Sequence, residues 1–144
     1  MMKRPYRLLA VGVAVVSVAW FWSHDQTTHH PPASAPTTAP TWTKEKLKAF
    51  AFDNYDADEI QHECLDTLWT IESHWNYKAR GARTSKGRAF GIPQALPGDK
   101  MSNQGQDWKT NPETQILWGI RYIKVRYHNQ ACLALRYELV RGWY

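Results

Sequence analysis

The chain has 144 residues, 43% of them hydrophobic, with 8 tryptophans and a formal net charge of +5. That length holds one domain of ordinary size, and the apolar content suffices for a core with aromatic rings left over for a binding groove. Lys3, Arg4 and Arg7 against Asp25 leave residues 1–42 at +2 and the remainder at +3, a mild excess with no Arg/Lys stripe interleaved with aromatics, so a nucleic-acid partner is not expected.

Residues 3–7 (KRPYR) are basic, and Leu8 to Trp22 is an uncharged, mostly apolar run of 15 residues. A positive segment before an apolar one is a signal-sequence pattern. Ser17-Val18-Ala19 resembles a small-x-small cleavage site, yet Trp20, Phe21 and Trp22 would equally suit an anchor parked at the membrane interface. Residues 1–22 are therefore read as a cleaved signal peptide or a retained transmembrane anchor. Either engages membrane or secretion machinery and places the rest of the chain outside the cytoplasm, released or held on the membrane. Residues 23–42 (from SHDQTTHHPPASAPTTAPT onward) lack periodicity and read as a Pro/Ser/Thr-rich linker in which His29-His30 is incidental.

The folded domain is expected over 43–144. Thr43 is a plausible N-cap for a helix reaching about Tyr55, with Leu47, Phe50 and Ala51 on one face. Asp56 with Glu59 suggests a capping box for a second helix running to about His74. Its expected inner face carries Ile60, Cys64, Leu65, Leu68, Ile71 and Glu72. From Asn76 to Thr110 seven glycines and prolines break the periodicity, leaving a long irregular segment with at most a small hairpin around Ala82–Gly91. Asn111-Pro112 restarts a helix, with Ile116, Ile120, Ile123 and Tyr127 inward and Arg121, Lys124 and Arg126 outward. A last short helix covers about Ala131 to Val140, and Gly142-Trp143-Tyr144 is expected to pack back on the domain. The fold class is mainly α, and the chain is read as a monomer.

Cys64 and Cys132 lie 68 residues apart, which excludes a CxxC metal or redox pair. An even cysteine count in an exported chain reads as a disulfide, with two buried thiols as the alternative. Closing such a loop stabilises by roughly 3–4 kcal/mol on the chain-entropy model.

Glu72 is the candidate for acid catalysis, the alternative being a glutamate at a fraying helix end, hydrogen-bonded to a neighbour. At ~100° per residue it points the same way as Leu65 and Leu68, near the C-terminal end of its helix. Desolvation and the negative end of the helix dipole both disfavour its charged form, as a general acid requires. Ser73 could orient that carboxyl or contact a ligand, and Trp75 and Tyr77 would wall a pocket. In Phe90-Gly91-Ile92-Pro93-Gln94, glycine lets backbone approach a ligand and Gln94 offers a two-way amide suited to sugar N-acetyl groups. No acid announces itself as the second carboxylate of a two-acid glycosidase: Asp66 lies on the far side of the helix, and Asp99, Asp107, Glu113 and Glu138 cannot be placed. His62, His74 and His128 lack ligand-like spacing, so neither metal nor cofactor is expected.

The ordered series Cys64-Leu65, Leu68-Trp69-Thr70-Ile71-Glu72-Ser73, Trp75-Asn76, Gly91-Ile92-Pro93-Gln94-Ala95-Leu96-Pro97-Gly98, Lys100-Met101, Asp107-Trp108, Asn111-Pro112, Gln115-Ile116, Trp118-Gly119, Tyr122-Ile123 and Gly142-Trp143-Tyr144 resembles the soluble-lytic-transglycosylase-like domain. The nearest likeness is to the short form at the C-terminus of actinobacterial aggregation-promoting and wall-remodelling proteins. The resemblance covers about Lys44 to Tyr144. It implies a lysozyme-like, mostly α fold and cleavage of the MurNAc–GlcNAc β-1,4 bond of peptidoglycan. Glu72 would be the acid/base, Ser73 and Gln94 would contact saccharide or position the acid, Gly91 would shape the groove, and Cys64 and Cys132 would pair. Trp75, Phe90 and Tyr137 complete the expected substrate-binding set. The substrate's own C6 hydroxyl would serve as nucleophile, closing a 1,6-anhydro ring. The chain departs from the family in its basic loop Gly81–Arg88 and in a last helix, Leu133–Arg141, that offers Tyr137 where a Trp- and His-rich run is usual. A hydrolytic muramidase, a non-catalytic wall-binding module and a merely structural disulfide-stapled domain are the rival readings.

Overall fold

The computed structural model describes residues 41–144. The expected signal or anchor segment, His29-His30 and nearly all of the linker lie outside them. Among the described residues no helix is long and apolar enough to cross a membrane. The order is α1 (Lys44–Asn54), α2 (Glu59–Ser73), β1 (Arg80–Thr84), β2 (Gly87–Phe90), a 3-10 helix (Gly98–Asn103), α3 (Pro112–Arg126) and α4 (Ala131–Arg141). The domain is mainly α with a single two-stranded antiparallel hairpin, whose register pairs Arg80 with Phe90 and Thr84 with Gly87.

Local chemistry sets the helix ends. Thr43 caps α1, its hydroxyl accepting from the Lys46 N–H at 3.3 Å, and Asn111 caps α3 with Pro112 just inside. The α2 cap is Asp58 rather than Asp56: its carboxylate accepts from the Gln61 N–H at 2.9 Å. Two residues of the intervening turn move the start, and the Gln61 side chain accepts instead from the Cys132 N–H at 3.0 Å. Trp42, placed in the linker from sequence, packs on the core.

α2 packs on α4 and α1 on α3. Leu65, Leu68 and Trp69 are fully buried, whereas Ile60 and Ile71, expected inward, are 65% and 45% exposed. The reason is the line along which α4 lies: it meets α2 at Gln61, Cys64 and Glu72, leaving the flanks to solvent. Cys64 and Cys132 form a disulfide that joins the two helices, with α-carbons 4.9 Å apart. The indole of Trp69 sits at the centre of the core. Gly119 of α3 admits it, since a Cβ there would come within 2.6 Å of the Trp69 ring. A smaller cluster of Ala95, Met101 and Trp118, flanked by Phe90, Trp108 and Tyr122, packs beneath the irregular segment.

Candidate active site

α2 ends sharply. His74 and Trp75 both take left-handed backbone conformations, at φ 55° and 64°. Such conformations cost a non-glycine residue free energy and persist only where surrounding contacts enforce them. Here the Trp75 ring folds back edge-on to Trp69 (5.2 Å between centroids), and its N–H donates to Asp66 at 2.9 Å. Asp66 also accepts from Lys48 at 2.6 Å. Burial raises its pKa, but the bonds from Lys48 and Trp75 outweigh burial and hold it below the ordinary carboxylate range. Asp66 thus locks the turn that follows Glu72.

The irregular segment is held from below by Gln115 of α3, which is fully buried. Its carbonyl oxygen accepts from the Ile92 N–H at 3.0 Å, and its amide donates to the carbonyls of Tyr77 (3.0 Å) and Trp108 (2.8 Å). One amide, fully satisfied, ties three loop positions to one helix. Gly91 is the corollary. Its φ is 76°, and a Cβ there would overlap the Gln115 carboxamide. Gly91→Ala is therefore expected to destabilise the domain by about 2–3 kcal/mol through strain and overpacking, measured as a fall in midpoint on chemical denaturation.

Above this support lies a groove of about 610 Å³. Glu72 is half-buried and opens into it. Pro93, Gln94 and Ala95 make one wall, while Trp118 and Tyr122, stacked at 5.2 Å and 14° between planes, contribute to its lining. Trp143 and Tyr144 border it, as do Lys86, Lys100 and Arg126. Stacked rings beside amide and carboxyl groups give the groove an apolar face next to polar edges.

Glu72 is pushed up to about 8, first by burial, then by the charge and hydrogen bonding of the Glu138 carboxyl on α4. It therefore keeps its proton at neutral pH. One Glu138 oxygen is buried with no hydrogen-bond partner among the described residues. Tyr144, partly buried, closes the site. Its hydroxyl donates to the Pro93 carbonyl at 3.0 Å and accepts from the Trp69 indole at 3.1 Å. Burial, and then the Glu72 charge, push its pKa well above that of an ordinary tyrosine, so it stays neutral.

The residues singled out from sequence occupy different places. Glu72 and Gln94 border the groove. Gln94 does so with φ 47°, its amide donating to the Gly91 carbonyl at 2.8 Å. Ser73 bonds protein instead, its hydroxyl donating to the Ile92 carbonyl at 2.9 Å, which joins α2 to the loop. Trp75 is 2% exposed and belongs to the core. Gly91 lies beneath the groove wall, and Phe90 packs edge-on to Trp108 at 5.2 Å. Tyr137 meets Tyr127 edge-on and lies under the Arg141 guanidinium, bordering a separate concavity of about 310 Å³ on α4. None of Ser73, Trp75, Gly91, Phe90 and Tyr137 borders the groove that Glu72 opens into.

The candidate site also gathers Trp118, Tyr122, Tyr144 and Glu138, to which sequence reasoning gave no role. Trp118 and Tyr122 are four residues apart, an aromatic stripe beside the isoleucine face of α3. Glu138 continues the buried line of Ala131 and Ala134 at i+3 and i+7, the same anomaly of an acid on an apolar face that marked Glu72. Comparison of the chain with family models, with curated proteins and with solved structures finds no match.

Proposed function

We propose that this domain is a lysozyme-like lytic transglycosylase that acts outside the cytoplasm and cleaves the MurNAc–GlcNAc β-1,4 bond of peptidoglycan. The observation that carries the reading is a carboxylic acid, Glu72, held protonated in a groove lined by stacked aromatic rings. The ordered motif series supports the choice of substrate, and the disulfide is consistent with an oxidising compartment.

Protonated Glu72 donates to the glycosidic oxygen as the C1–O bond breaks through an oxocarbenium-like state. The resulting carboxylate then accepts the proton of the MurNAc C6 hydroxyl, whose oxygen bonds to C1 and closes the anhydro ring. Glu72 ends protonated, ready for another cycle. A two-carboxylate scheme needs its second carboxyl across the scissile bond, roughly 5–9.5 Å from the acid. Glu138 does not border the groove, so it has no approach to a sugar carbon. Its part is to raise the proton affinity of Glu72. The substrate must supply the nucleophile, or water must.

Mass spectrometry of fragments released from purified wall sacculi tests this. The expected product carries an anhydro end, one water lighter than a reducing end. Products with reducing ends only would make the domain a hydrolytic muramidase. Retention on sacculi without any released fragment would make it a binding module.

A further inference from the structure

Outside the Glu72 carboxyl, the groove is ringed by positive charge. Between Glu72 and Asp99 the sequence holds Lys78, Arg80, Arg83, Lys86 and Arg88 and no acid at all. Most of this charge sits on the exposed β1–β2 hairpin. The hairpin turn is pressed on Pro97, since a Cβ at Gly87 would come within 2.8 Å of the Pro97 Cβ. Pro97 immediately precedes the 3-10 helix that carries Lys100. Lys86 and Lys100 are thereby held on one rim, and both border the groove. Arg126, in the last turn of α3, borders it too. Its guanidinium lies about 6 Å from the ring centroids of Tyr122, Tyr127 and Trp143 (6.0, 5.8 and 5.8 Å), and its Nε donates to the Tyr127 hydroxyl at 3.3 Å. The rings hold the cation in place, and its two terminal nitrogens carry no hydrogen bond among the described residues.

None of these three cations has a carboxylate partner among the described residues, where the one ion pair is Lys48–Asp66. Among the described residues, Glu72 carries the only side-chain carboxyl that borders the groove. A neutral sugar polymer laid there would shield three cations from water and return only neutral oxygen acceptors, with no opposite charge. A polymer with carboxylates on its substituents would pair with each. Resting on the proposed cleavage reaction, we infer that Lys86, Lys100 and Arg126 are specificity-determining residues that select glycan strands bearing free carboxylates over neutral β-1,4 strands. Those carboxylates could belong to the lactyl ether of the sugar or to a short peptide attached through it.

The test measures binding of four oligosaccharides of equal length to the full chain carrying Glu72→Gln, which prevents turnover. They are a neutral GlcNAc strand, an alternating GlcNAc–MurNAc strand with free lactyl carboxylates, its lactamide twin, and one whose lactyl groups carry a peptide with free carboxylates. The expected result is that the carboxylate strands bind roughly tenfold tighter than the neutral and lactamide strands at low salt, an advantage that fades as ionic strength rises. An advantage of the lactyl strand assigns the recognition to the sugar, and one confined to the peptide strand assigns it to the peptide; both sustain the inference. Lys86→Met with Lys100→Met, at exposed positions, is expected to remove most of the advantage while leaving affinity for the neutral strand intact. Equal binding of acidic and amidated strands, an unchanged preference in the double variant, or no binding of any strand would overturn it. Failure of the unsubstituted chain to cleave any of the four would sink the transglycosylase reading alone, because the binding comparison decides the rim separately.

Discussion

Glu72→Gln is expected to lower release of soluble wall fragments by roughly 10²–10⁴-fold, the range that a positioned general acid contributes. The same variant is expected to be more stable than the parent in alkali. The folded chain binds the Glu72 proton far more tightly than the unfolded chain, with the pKa raised from 4.5 to about 8. Where the native state holds more protons, stability falls as pH rises. The parent therefore keeps its full stability below about pH 4.5 and loses part of it progressively up to about 8, as the proton leaves a buried site beside Glu138. Glutamine carries no titrating proton and escapes this loss. Thermal melts at pH 4.5 and pH 8.5 should show the two proteins alike in acid and Glu72→Gln melting higher in alkali. A variant that retained lytic activity, or a parent whose melting temperature rose between those pH values, would remove Glu72 from the role assigned to it.

Glu138→Gln tests the other half of the pair. The Glu138 carboxyl raises the proton affinity of Glu72 by its charge and its hydrogen bonding. Removing that charge is expected to lower the Glu72 pKa and move the alkaline limb of kcat/KM toward acid. Activity should be kept near pH 5, where Glu72 remains protonated in either protein. It should fall at pH 8 by about tenfold for each unit of displacement. A purely structural Glu138 would instead reduce activity uniformly across the pH range. A profile scaled down without displacement would therefore deny the residue its electrostatic part.

Both carboxyls occupy apolar helix faces, yet only Glu72 was legible from sequence. α2 has a strong periodic signal, with Leu65, Leu68 and Trp69 defining the buried side, so the acid at its end stands out. In α4 the buried side is made by Ala131 and Ala134, small residues that mark a face weakly, and Glu138 passes for a solvated acid. Trp75 failed in the opposite direction. Adjacency to Glu72 suggested a groove wall, but two successive left-handed residues turn its ring back into the core. Ser73 and Gly91 each meet protein, Ser73 at Ile92 and Gly91 at Gln115. The shift of the α2 cap from Asp56 to Asp58 is a smaller instance, since both residues satisfy the capping preference and only the path of the turn chooses between them.

Several features depend only on near neighbours along the chain. Those features are the helices, their caps at Thr43 and Asn111, the break in periodicity between α2 and α3, and the acid on the inner face of α2. Periodicity and capping act over one or two turns, so a linear reading reaches them. The fold fixes which side chains meet across the domain. It brought Glu138 against Glu72 from 66 positions away, set Gln115 beneath three loop carbonyls and amides, closed the groove with Tyr144, and ranged Lys86, Lys100 and Arg126 around it. A pKa is fixed by the charges and the burial around a group in space. For that reason the candidate acid could be named from the chain, but the proton it keeps follows from the fold.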